Sequence, residues 1–194
     1  MSHAESQGGA GVSGPAIRRF GKPPPEVAIV ITRTAKMLLL AAIALYYTLV
    51  VFNNLTDFDS NYQFVHHVLA MDGTIPGNHG MWRALPSPAI QLAFYLSIIA
   101  WEIANTILLW WGVLNLLRTL KSPAPAFNAA KRVPVMALTL SMLMWLVAFL
   151  SVGGEWFLMW QSHTWDGREA AFRMFAVVGL VLLLLLQPDT DTQP

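Results

Sequence analysis

Four stretches of this chain are apolar over lengths that only a membrane-spanning helix needs, roughly 20 residues each. The first is free of charge from Met37 to Thr56, and the second runs from Ala84 to Leu117 with Glu102 as its one interruption. The third is free of charge from Val133 to Gly154, and the fourth runs from Ala170 to Gln187, closing on the leucines at 182–186. The charge-free part of the fourth begins only at Met174, too short to span alone, so Arg173 falls inside the end of that helix, snorkelling or paired. These patterns predict spans at about 34–54, 88–117, 133–160 and 169–187. The predicted fold is all-α: an integral membrane antiparallel four-helix bundle at residues 29–188 with a long first extracytoplasmic loop. Residues 1–28, rich in Gly, Ser, Pro and Ala, read as a flexible cytoplasmic tail, and 189–194 as a short C-terminal tail.

The first loop, about 54–87, is longer than a plain connection between spans requires. It opens on the turn formers Asn53-Asn54 and Asp57-Phe58-Asp59. From Tyr62 to Met71, the residues Phe64, Val65, Val68, Leu69 and Ala70 recur at helical spacing, predicting a short amphipathic helix on the outer surface. Gly73, Pro76, Gly77 and Gly80 make the remainder rich in turns.

Composition agrees with a bilayer as solvent. Hydrophobic residues make up 55% and charged residues 12%, against about 25% charged in a soluble domain. The net charge of +1 gives no footprint for nucleic acid. With no cysteine, disulfides, thiolate metal sites and a lipoprotein anchor are excluded. The apolar run starting at Met37 is too long for a cleaved signal, and no small-residue cleavage site follows it.

Charge placement sets the expected orientation. Arg33 and Lys36 precede the first span, and Arg118, Lys121, Lys131 and Arg132 lie between the second and third without an acid. The first loop carries Asp57, Asp59 and Asp72 against Arg83. Positive residues stay in the cytoplasm, which puts both termini there and the first loop outside, in a multi-pass arrangement. Trp82, Trp156, Trp160 and Trp165 would mark the outer boundary, and Trp110 and Trp111 the inner one.

Three groups of residues are candidates for chemistry. Glu102 sits near the middle of the second span with Asn105 on the same face, and Thr139 and Ser141 fall at similar depth on the third. An ionised carboxylate facing lipid is expensive, so Glu102 should face the bundle, pair or stay protonated. It would then either handle a proton or ligand, or serve as a polar clasp between helices. Glu155 and Arg173 would form an ion pair in the outer third of the membrane, beside Gly153-Gly154, a pair that suggests close contact or a kink. His66, His67 and His79 lie on the outer side, and His67 and Met71, four apart, would offer nitrogen and sulfur to a soft metal such as copper(I). No histidine lies in mid-membrane, which counts against a haem between imidazoles. P-loop, GxSxG and HExxH motifs are absent.

The run Asn53-Asn54-Leu55-Thr56-Asp57, the run from Phe64 to Asp72, Trp82-Arg83-Ala84 and the stretch from Tyr95 to Glu102 together resemble a bacterial family of predicted small integral membrane proteins, a domain of unknown function. The resemblance covers roughly residues 35–188. It implies four spans in a bacterial inner membrane, and it carries no activity to any residue.

The expected role is therefore an accessory or scaffold subunit of a membrane complex, without catalysis and without a cofactor. Its first outer loop would contact a membrane-protein partner or a second copy. The rival readings are a redox protein holding copper or another soft metal in that loop, and a small proton-coupled transporter built on Glu102.

Overall fold

The computed structural model describes residues 25–191. Helix α1 (Pro25–Thr56) is followed by α2 (Phe58–Ala70), a 3₁₀ turn at Met81–Arg83, and α3 (Pro88–Thr119). The short α4 (Ala124–Ala130) leads into α5 (Arg132–Leu143), which continues as a π-helix over Met144–Trp156. A 3₁₀ turn at Met159–Gln161 and α6 (Arg168–Leu186) complete the chain.

Among the described residues, four helical stretches are long and apolar enough to cross a membrane: Glu26–Thr56, Pro88–Thr119, Ala124–Trp156 and Arg168–Leu186. They form an all-α membrane bundle. Packing runs α1 to α3, α3 to α5, α5 to α6 and α6 back to α1, which closes the bundle as a ring. Leu40, Ala44, Leu109, Leu116, Leu138 and Val178 make its buried core. Leucines and phenylalanines elsewhere on the spans face outward, as lipid-facing positions do.

Several boundaries differ from expectation. Helix α1 begins at Pro25, so residues 25–28 are its first turn and not tail; proline is favoured there because the first helical N–H has no intrahelical partner to lose. The rest of that tail, with Arg18, Arg19 and Lys22, lies outside the described residues, as do 192–194. The third span ends at Trp156, and Leu158 follows in a left-handed conformation with φ of 55°. Within the π segment the Ser151 hydroxyl donates to the carbonyl of Leu146, five residues back, at 2.9 Å, and the Phe157 amide donates to Val152 at 3.0 Å. Such wide turns are rare and are frequently found at functional sites. Gly153 and Gly154 lie within this segment, where the stem of Arg168 packs against Gly154.

One close approach in the bundle depends on glycine. A Cβ at Gly112 of α3 would meet Pro134 Cβ of α5 at 2.9 Å and its Cα at 3.1 Å. The two helix backbones touch at this point.

At one end of the bundle, called here the basic end, the chain after α6 folds back into a socket of cations. Asp189 is buried, and both Lys36, at 2.8 Å, and Lys131 pair with its Oδ2. Arg33 Nε lies 3.9 Å from Asp189 Oδ1. Arg33 also donates to the carbonyl of Ser122 at 2.6 Å and stands over the ring of Phe127. Asn128 fixes the strap, donating to the Asp189 carbonyl at 2.8 Å while its own oxygen accepts from the Asp189 amide at 3.1 Å. Asp191 accepts from the Ala124 amide at 2.7 Å. Residues 189–191, expected as part of a short C-terminal tail, therefore tie α1, α4, α5 and α6 together.

At the opposite end, α2 and the segment after the π-helix make a cap. Leu69, Met71 and Phe157 form its small buried core, with Val65, Val68 and Leu85 packed against them. The amphipathic helix expected at 62–71 is thus present and longer, starting at Phe58.

Candidate functional site

Helix α3 carries a polar stripe on its inner face: Gln91, Tyr95, Glu102 and Asn105, all buried. Their spacing follows the three- and four-residue recurrence of one helix face. Each residue finds a partner on another element. Gln91 meets His66 of α2, with 2.7 Å between His66 Nδ1 and Gln91 Oε1. The Tyr95 hydroxyl donates to Asn54 Oδ1 at 3.2 Å, and Asn54 Nδ2 donates to Glu102 Oε2 at 2.6 Å. Asn105 Nδ2 donates to Ser141 Oγ at 2.6 Å. On the neighbouring helices, Trp145 Nε1 donates to the Tyr47 hydroxyl at 3.0 Å.

Glu102 therefore faces the bundle, as lipid would demand. Its hydrogen-bond donor is the neutral amide of Asn54 on α1, and no cation reaches it within ion-pair distance among the described residues. The structure joins Asn105 to Ser141 as expected from their depth. It does not bring in Thr139, whose hydroxyl bonds its own helix at Val135 O, 2.8 Å away. Thr139 is two residues before Ser141 and so about 200° around the helix. Asn54, read from sequence as a turn former, is the partner that sequence reasoning missed.

The stripe acts as a set of interhelical clasps. With Glu102→Gln, an amide oxygen still accepts from Asn54, and stability should change by less than about 1 kcal/mol. With Glu102→Leu, the buried Asn54 amide loses its acceptor, and about 1–3 kcal/mol should be lost. Thermal melts in detergent separate the two, and a Gln variant as damaged as the Leu variant would show that the charge itself matters.

The expected pair of Glu155 and Arg173 is not made. Arg173 lies 3.8 Å from Glu169, one turn earlier on its own helix, and both side chains are exposed. A neighbour four residues away is always within reach, whereas a partner on another helix must be placed by packing. The Glu155 carbonyl instead accepts from Arg83 at 3.4 Å.

The soft-metal set is also divided. Met71 follows α2 in a left-handed conformation, φ 57°, and turns its side chain into the cap core beside Phe157. The four-residue rule that paired it with His67 ends where the helix ends. His79 lies in a separate surface hollow with Asn78, Arg83 and Gln161. His66 and His67 remain together, and they are joined by Asp72: one donor atom from each lies within 4.8 Å of the others.

The cap also roofs an apolar cavity of about 460 Å³ between α3 and the π-helix. Phe94, Ile98 and Trp101 form one wall, Val147 and Val152 the other, and Phe64 lies above. A cavity so lined accommodates a hydrocarbon chain and offers nothing for acid–base chemistry. On the outer surface of the cap, Trp82 and Trp156 meet edge to face at 5.6 Å, with the Arg83 guanidinium 5.7 and 5.5 Å from their ring centres. Of the tryptophans expected at the boundary, Trp165 is turned inward and stacks on His67 at 4.4 Å.

The model for the predicted small integral membrane protein family DUF2165 matches residues 32–188, nearly the whole described chain. The chain belongs to this family. The match covers the first span from Thr32 onward, the other three spans and the cap, and agrees with the resemblance seen in the sequence. No curated protein and no solved structure matches the chain.

Proposed function

We propose that this member of the family is a non-catalytic accessory or scaffold subunit of a membrane assembly, docking a protein partner on its cap. The observation that carries this reading is the Trp82–Arg83–Trp156 cluster, held on a folded cap, with Trp82 75% exposed. Tryptophan and arginine are the residues that most often anchor protein interfaces. Ile75, Met81 and Trp160 extend the same exposed apolar surface. The stripe around Glu102 supports this over transport, because its polar groups are largely spent on neighbouring helices. The transport and soft-metal redox readings have less in the geometry behind them.

The proposed setting is a bacterial inner membrane, with the cap outside and the basic end, where α1 starts and the segment after α6 folds back, in the cytoplasm. Its support is charge: Arg118, Lys121 and Arg132 accompany the buried cations at the basic end, and Asp57, Asp59 and Asp72 accompany the cap.

Both parts can be tested in one experiment, because the chain has no cysteine of its own. A membrane-impermeant maleimide crosslinker applied to spheroplasts should label His79→Cys, an exposed position in the hollow beside Trp82 and Arg83, and not Lys121→Cys. Photoactivation at position 79 should then give an adduct of one discrete mass at native expression. Labelling at 121 alone overturns the sidedness, and efficient labelling at 79 without an adduct overturns the partner.

A further inference from the structure

We infer that His66, His67 and Asp72 form a binding site for a borderline divalent cation, of which zinc is the test case. It is a different ligand set from the sulfur-containing one that the sequence suggests, and it goes beyond the scaffold reading.

The argument begins with Gln91. Its Nε2 donates to the carbonyl of Leu85 at 2.7 Å, and a carbonyl can only accept, so the amide orientation is fixed. Gln91 Oε1 is then an acceptor, and His66 Nδ1, 2.7 Å away, must carry the proton. That leaves the lone pair of neutral His66 on Nε2, the tautomer that a metal-binding histidine takes when its other nitrogen is held by an acceptor. Gln91 is completely buried, so this orientation is built into the bundle and does not follow solvent.

His67 is fixed by other means. Its ring stacks on Trp165 with 4.4 Å between centres and 14° between planes. Its Nδ1 points at the Asp72 carboxylate, 2.8 Å from one oxygen and 3.0 Å from the other. A cation takes the place of the proton shared in this contact, joining Nδ1 to a carboxylate oxygen while the imidazole holds its proton at Nε2. Both side chains are partly open to solvent, 28% exposed for His67 and 47% for Asp72, so an ion has a way in.

Distances and donor types decide the ion. One ligand atom from each of the three residues lies within 4.8 Å of the others. Ligands held at about 2.1 Å in a tetrahedron stand roughly 3.4 Å apart, a closure within reach of small side-chain rotations. Two imidazoles and a carboxylate suit zinc(II), copper(II) or nickel(II), and the absence of a sulfur donor from the set disfavours copper(I). A tetrahedral ion has one position left for water. The cap is thereby tied across its own turn, because the ligands bracket Met71 at the end of α2.

The test is calorimetric titration of zinc into the purified full-length protein without a histidine tag. One equivalent should bind, and the melting temperature should rise with zinc concentration. His66→Ala, His67→Ala and Asp72→Ala should each weaken binding at least tenfold. Gln91→Leu, which removes the group that orients His66, should weaken it about 10–100-fold. His163→Ala and His79→Ala should bind as wild type. Where a variant fails to fold, the wild type still decides: cobalt(II) in place of zinc should give the visible absorption of a tetrahedral site. No binding by the wild type overturns the proposal, as does binding that survives the loss of His66 and His67 or that is lost with His79.

Discussion

Replacing Asp189 by alanine is expected to cost about 3–5 kcal/mol, the range for removing one partner from a buried ion pair. The substitution leaves Arg33, Lys36 and Lys131, all buried, close together, with neutral acceptors on Gln187 and Asn128 and, among the described residues, the more exposed Asp191 as the one carboxylate still paired there. Thermal or denaturant unfolding in detergent measures the loss, and a variant within 1 kcal/mol of wild type, a threshold set by exposed pairs, would mean that the socket is not closed in solution. Acid should act through the same group. Burial alone would raise the Asp189 carboxyl, but the hydrogen bonds and charges of Lys131 and Lys36 outweigh it and hold the carboxyl below its ordinary value of 3.8. A carboxyl depressed in the folded state contributes its stabilisation above the unfolded value and loses it as pH falls through the folded one. Wild-type stability should therefore drop below about pH 4, and Asp189→Asn should lack that part of the acid dependence.

The second large effect is expected at Gly112. A leucine there must displace Pro134, whose Cα and ring stand where the new side chain begins, and helices cannot part without opening the core around Leu109 and Leu116. Overpacking of this kind costs about 1–3 kcal/mol and occasionally more. Gly112→Ala gains up to about 1 kcal/mol of helix propensity in compensation, so it should be milder than leucine. A double-mutant cycle with Pro134→Gly, which removes the Cβ and the ring that face position 112, isolates the side-chain part of the contact, and a coupling energy of at least about 0.5 kcal/mol is expected. Additive effects would show that the Pro134 side chain does not stand against position 112.

Much of the architecture was legible because length and charge are enough to define a span. The runs around Met37–Thr56 and Val133–Gly154 could be nothing shorter than a crossing, and Tyr62–Met71 carried its helical period in plain view. Rotation about each helix axis was harder, since a span that is apolar all round has no marked inner face. Glu102 and Asn105 supplied that mark on α3 and led to Ser141, but the depth that suggested Thr139 said nothing of which way it points. Asn54 escaped notice because its residue type also fits a turn. Met71 kept the right spacing to His67 and was lost to the site only because α2 ends before it. Asp189 gave no signal at all: an aspartate beyond the last span looks like solvated tail until the cations it meets are placed from α1 and the junction of α4 and α5.

The strap around Asp189 has a consequence for biogenesis. Arg33, Lys36 and Lys131 are all synthesised before α6, whereas their counter-ion emerges only after it. During insertion the first three crossings must wait with three unneutralised charges turned toward each other. The assembled state is therefore sealed late, and a translation product arrested anywhere before position 189 should remain loose and open to quality-control proteases.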